Sequence, residues 1–356
     1  MAGESDRAVG ANGAEVPARR PSRWRIVARV ALLAVSATVL YGLLPRVLAV
    51  FAEAPRLLEL NPLWFVAVLG FEIASFTCVW WLTRIAVPGV SWFVAATSQL
   101  VANAVSRIVP GGPAIGTAIG WRMLSVSGVD RTQAGAAIAA TSFISNGVLF
   151  ALPLVAVMGS IFGAPVPRSL ALVAWGGALV FVVLFAAAFL VVRFDRPLRL
   201  AGTVVERVGR WAYLRVGRPN PPTAGSLIRQ RDLVVSALGS RWEQALAAAV
   251  GNWLFDYLAL VAALYAVGAS PHLSLVLLAY GAGAVLGMIP ITPGGLGFVE
   301  AGLTAMLALA GIGGEQALLA TLAYRVASYW LPLPAGLGAW IAFRHRYGTP
   351  PETTPA

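Results

Sequence analysis

No lysine occurs anywhere in the 356 residues, cysteine occurs once and histidine twice. The single Cys78 excludes an intrachain disulfide and a thiolate metal site. His272 and His345 stand far apart near segment ends, where they read as ordinary polar side chains and not as ligands. Charge is sparse as well: 12% of residues are charged against 58% hydrophobic. A phosphate-binding loop needs a Lys-Ser/Thr pair after its glycines, and Gly runs such as GGLGFVEAG lack one and lie in apolar tracts. No Asp-x-Asp or His-Glu pattern occurs, so an intramembrane transferase or hydrolase has no visible nucleophile, base or metal set. No cofactor and no metal are expected.

Apolar runs of bilayer length fill the rest, with a mean hydropathy of +0.78, and define an all-α polytopic membrane protein. The net charge of +11 is carried wholly by arginine. In this setting it reads as topology and attraction to anionic headgroups, with no nucleic acid as partner. Residues 1–23 are small and polar and lack an apolar h-region, which predicts a disordered cytoplasmic tail and not a signal peptide.

Arginines orient the spans. Residues 193–241 hold ten of them against three acids, so this segment is expected in the cytoplasm. Working outward from it gives spans at 26–45, 62–84, 133–158, 169–192, 242–267 and 315–342. The tracts 91–127 and 272–310 must each leave on the side they entered, as hairpins. Both termini, including the tail 346–356, fall inside. This arrangement leaves 21 arginines inside, three outside and two, Arg107 and Arg325, at membrane depth. The plasma (inner) membrane is the expected location.

The two hairpins repeat each other. A shift of 183 residues lays Pro110-Gly111-Gly112 on Pro293-Gly294-Gly295 and gives 12 identities over the 36 positions from 110 to 145. The first repeat is 24–168 and the second 169–345, interrupted by the Arg-rich loop. An odd number of crossings separates equivalent elements, which predicts two inverted repeats, each of three spans and one Pro-Gly-Gly helical hairpin. Secondary transporters are commonly built so, with the substrate at the repeat interface.

Pro-Gly-Gly ends one helix and starts another within a few residues. The new helix opens with N–H groups and a positive dipole end that must be buried in protein, face water or meet an anion. Gly111, Gly112, Gly294 and Gly295, with Arg107 and Arg325, are therefore the candidate anion-binding residues; a tight structural turn is the alternative. Glu72 and Asp256 fall near the centres of corresponding spans, and Glu300 follows the second tip. Isolated charges at that depth cost at least about 2.5 kcal/mol each. These three acids are expected to act as counter-ions or proton carriers, with Arg325 paired to Glu300 or Asp256. Asn103, Asn146 and Asn252 either extend a polar path or join helices.

At PGG-x-G-x-x-E followed by AYRVASYWLP, the chain resembles the lysylphosphatidylglycerol synthase transmembrane-region family over about residues 24–345. Pro293, Gly294, Gly295, Gly297 and Glu300 match its tip motif, and Tyr324, Arg325, Tyr329, Trp330 and Pro332 match its following span. In the first half Pro110, Gly111, Gly116 and Arg122 fit a tip followed by an arginine, while Thr141 and Ser142 stand where many members have a Glu-Arg pair. The resemblance implies a flippase-like domain. The soluble domain that charges the lipid in the best-known members is not expected here, so the substrate would be an anionic phospholipid or a polyprenyl-phosphate-linked sugar. A scaffold for a separate lipid-modifying enzyme is the second reading, motivated by the hydrophobic-basic mix LAGTVVERVGRWAYLRVG.

Overall fold

The computed structural model describes residues 62–109, 112–161, 168–197, 199–200, 203, 224–288 and 293–348. Every regular element among them is helical. The expected first span at 26–45, the tip residues Pro110 and Gly111, residues 204–223 of the Arg-rich loop and the tails 1–23 and 349–356 lie outside the described residues.

Helix α1 (Pro62–Ala86) leads into a hairpin of α2 (Trp92–Ile108) and α3 (Gly112–Val126), followed by α4 (Arg131–Ile161) and α5 (Arg168–Arg193). Then come α6 (Ala224–Leu238), α7 (Trp242–Ala266) and a second hairpin of α8 (Leu273–Met288) and α9 (Phe298–Leu309). The last rod is α10 (Gly314–Arg325), a π-helical turn Val326–Trp330, and α11 (Pro332–Tyr347). Five helical runs are long and apolar enough to cross a membrane: α1, α4, α5, the run ending in α7, and the α10–α11 rod. They fall on five of the six expected spans; the sixth is the one not described. The hairpin arms are shorter. At about 1.5 Å per residue, the 16 residues of α8 and 12 of α9 reach roughly 24 and 18 Å, against a hydrocarbon core of about 30 Å.

Helices α1 and α7 lie antiparallel along the core. Their register is fixed by Trp64 stacked on Tyr265 at 5.1 Å, Phe71 on Phe255 at 6.4 Å, and Asn252 Nδ2 donating to Ser75 Oγ at 2.7 Å. The apolar core around them draws Leu260, Leu264, Val276, Leu303 and Leu307 from α7, α8 and α9. In the first hairpin Ser91 caps α2 by accepting from the Val94 N–H at 3.2 Å. Its second arm turns Gly112, Gly116 and Gly120, one every four residues, towards α2. A Cβ on Gly112 would come within 2.8 Å of Ser106 Cα, and one on Gly116 would strike the Ala102 carbonyl. This small-residue face lets two backbones touch, as helix pairs in lipid require for close packing.

Candidate functional site

The two broken helices meet inside the protein. Pro293–Gly295 forms a short 3-10 turn beside the C-terminal end of α2. Gly294 adopts φ +59, and a Cβ there would come 2.7 Å from the Arg107 carbonyl oxygen while colliding with the Tyr329 ring. Only glycine satisfies both the left-handed backbone and the missing volume. One expectation needs correcting. Helix α9 does not start at the tip glycines but at Phe298, with Gly297 as its N-cap. Its opening is not left bare either, because the Gly297 N–H donates to Glu300 Oε2 at 2.6 Å.

The other oxygen of Glu300 accepts from Arg325 Nε at 2.7 Å, in an ion pair whose side chains are only 12% and 14% exposed. Glu300 thus uses both oxygens as acceptors, which is the geometry of an ionised counter-ion. Arg325 Nη2 also donates to the Gly294 carbonyl at 3.5 Å, and its guanidinium lies 4.4 Å from the Tyr329 ring centre. Arg107 lies over the same ring at 4.9 Å. Two cations therefore share one buried aromatic face system, held by π attraction and by the Tyr329 Oη–H, which donates back to the Arg107 carbonyl at 3.1 Å.

Arg107 Nη1 donates to the Ser328 carbonyl. The sequence explains why that carbonyl is free. In an α-helix it would accept from the N–H of residue 332, which is Pro332 and has none. The π-helical turn over Val326–Trp330 sits at the same point, where such turns gather at functional sites. Among the described residues Arg107 has no carboxylate partner.

A second polar knot lies beside the first. Asp256 Oδ2 accepts from the Tyr280 and Tyr324 hydroxyls, the latter at 2.9 Å. Glu72, 5% exposed on α1, is set opposite Asp256 by the α1–α7 register that Ser75–Asn252 and Phe71–Phe255 fix. Glu72 Oε1 meets no N–H or O–H donor among the described residues.

Arg107 also lines a cavity of about 330 Å³ between α1, α2, α3 and α4. Hydroxyl- and amide-bearing side chains line much of its wall, including Gln99, Asn103, Ser106, Ser145 and Asn146, and Arg107 is its one charged residue among the described residues. Thr117 and Ser142 form an exposed part of the lining. Asn146 is shared with an apolar groove of about 820 Å³ along α4, α5 and α7, walled by Phe143, Phe181, Phe185, Phe189 and Leu254.

Arg107, Gly294, Arg325 and Glu300 thus come together, and Glu72 and Asp256 adjoin them. Gly295 is buried next to the tip against Val299, and Gly112 is occupied by its crossing with α2. Asn103 and Asn146 share the polar cavity, whereas Asn252 joins two helices through Ser75. The expected pairing of Arg325 falls on Glu300 and not on Asp256. Tyr280, Ser328 and the central position of Tyr329 escaped sequence reading; Pro332, four residues after Ser328, was the available signal for a free carbonyl.

The fold and the buried polar centre define a multi-pass α-helical membrane protein with charged residues gathered where the end of α2 meets the Pro293–Gly295 break. The chain belongs to the lysylphosphatidylglycerol synthase TM region family, whose profile matches residues 24–336. A UPF0104 membrane protein of Methanothermobacter thermautotrophicus is 36% identical over 94 residues, 26% of this chain and 27% of that protein. The match thus spans about a quarter of the relative's length. No solved structure matches.

Proposed function

We propose that the protein translocates the headgroup of an anionic lipid, a phospholipid or a polyprenyl-phosphate-linked sugar, between leaflets by alternating access. The observation that carries this reading is Arg107: a cation without a carboxylate partner among the described residues, set in a polar cavity where the second helix break arrives. A guanidinium held only by a carbonyl and a ring retains N–H donors for a phosphate. The cavity supplies neutral hydroxyls and amides for the rest of the headgroup. The adjoining Phe-lined groove suits an acyl or prenyl chain that stays on the lipid side. Arg325 supports the site through the same Tyr329 ring, with Glu300 as its counter-ion.

In this reading the Pro-Gly-Gly hairpins are re-entrant, the two halves are inverted repeats, and they rock about the tips to expose the cavity to each leaflet in turn. Both termini are cytoplasmic, in the plasma membrane. The test is a leaflet-resolved assay of the full chain in proteoliposomes. Fluorescent phosphatidylglycerol or a polyprenyl phosphate should cross faster than in protein-free vesicles, and fluorescent phosphatidylcholine should not. Equal movement of the zwitterionic lipid would contradict recognition by a cationic site, and no movement of any lipid would favour the scaffold.

A further inference from the structure

We propose that Glu72 and Asp256 form a proton-carrying carboxyl pair whose loading is coupled to anion occupancy at Arg107, so that the protein moves protons together with the headgroup. The coupling rests on the translocation reading above; the shared proton does not.

The pair is built by helix packing. Ser75 and Asn252, about one turn away on the same facing surfaces, are locked at 2.7 Å, and Phe71 stacks on Phe255. This register sets residue 72 against residue 256. Two carboxyl groups facing each other in a buried site do not both stay ionised, so the pair retains a proton, and Glu72 Oε1 meets no N–H or O–H donor among the described residues. Asp256 is held in place by Tyr280 from α8 and Tyr324 from α10. The cations facing the pair are Arg107 from α2 and Arg325 from α10.

Charge counting then links the two sites. Arg325 is neutralised by Glu300. What remains is Arg107 with one positive charge and the pair, which carries one negative charge when it holds a single proton. That state is balanced while the cavity holds no anion. An anion of charge −1 at Arg107 upsets the balance, and one further proton on the pair restores it: the carboxylate gains H⁺ and both groups become neutral acids. No bond other than O–H forms, and nothing is oxidised or reduced. The proton is drawn from the aqueous phase the cavity faces and is returned to the opposite phase when the anion leaves. By reciprocity, the factor by which a bound anion tightens proton binding equals the factor by which the added proton tightens anion binding.

Two measurements on the full-length protein decide the matter. Infrared spectra of the purified protein should show a protonated-carboxyl band at neutral pH that disappears in Glu72→Gln. Asp256→Asn, which keeps an acceptor for both tyrosines, serves as the second variant should the first fail to fold. Absence of the band in the wild type overturns the pair, whatever the protein transports. In proteoliposomes, fluorescent phosphatidylglycerol should redistribute across the bilayer under an imposed pH gradient, by up to about tenfold per pH unit for one proton per lipid. Both variants should lose that dependence. Wild-type movement of the lipid that ignores the gradient overturns the coupling. Absence of any movement by folded protein removes the translocation reading and the coupling with it, while the infrared band still reports the shared proton.

Discussion

Glu300 and Gly294 show how narrowly the centre is specified at the level of single residues. Replacing Glu300 with Gln keeps an acceptor for the Gly297 N–H but leaves Arg325 uncompensated in a site only 12% exposed. Breaking one side of such a pair costs about 3–5 kcal/mol. Glu300→Gln is therefore expected to lower the unfolding temperature in detergent markedly, and adding Arg325→Gln should recover part of the loss. Strict additivity of the two substitutions would show that the pair contributes nothing. Gly294→Ala forces a Cβ against the Arg107 carbonyl at a left-handed φ, at about 1–2 kcal/mol for the backbone alone. It should reduce stability more than an Ala at Gly70, where a Cβ meets open space. At this scale the charged residues were legible, because a lone carboxylate or guanidinium in an apolar tract must find a partner. Tyr329 was not, since an aromatic residue in a membrane span ordinarily packs in core or lipid, and only the fold sets two guanidinium groups on its ring.

Among the elements, the junction of α10 and α11 carries the most information. Pro332→Ala restores an N–H that competes with Arg107 for the Ser328 carbonyl. The expected result is an unchanged or higher melting temperature together with slower phosphatidylglycerol translocation, by about tenfold if a hydrogen bond to a charged group worth ~1.5 kcal/mol is lost. Unaltered transport would mean that this hydrogen bond does not position Arg107. At the other end of the protein, Asp130 anchors the first turn of α4 by accepting from the Thr132 and Gln133 N–H groups at 2.9 and 3.0 Å. The Gln133 N–H foremost, and then the Thr132 N–H, hold its carboxyl below the usual value. A depressed folded-state value means that the anchor is fully present above the unfolded carboxyl pKa and is lost as pH falls through the lower, folded one. Protection of the amides at 132 and 133, taken relative to the intrinsic exchange rate at each pH, should therefore fall in acid, and Asp130→Ala should remove that pH dependence. Helix positions were readable from apolar run length and from Pro-Gly breaks. The start of α9 was not, because Leu296 and Gly297 extend the break beyond the glycines and Glu300 caps it from inside the helix.

For the whole molecule, arginine placement and the 183-residue repeat located two hairpins, but no periodicity records that the end of α2 packs against the second tip and the π-helical turn. That packing brings Arg107 to Ser328–Tyr329, more than 200 positions apart. The proposed orientation predicts that, in a Cys78→Ser background, single cysteines at Thr349 and Ala224 label from the cytoplasmic side and those at Ala54 and Ala164 from the opposite side. Labelling of 54 and 349 from one side would overturn the inverted arrangement. The central claim is that Arg107 binds an anionic headgroup, and translocation of fluorescent phosphatidylglycerol by Arg107→Gln protein tests it most directly. The account predicts a folded, membrane-inserted variant of near wild-type melting temperature whose translocation falls to the protein-free rate. Wild-type translocation by that variant would contradict it.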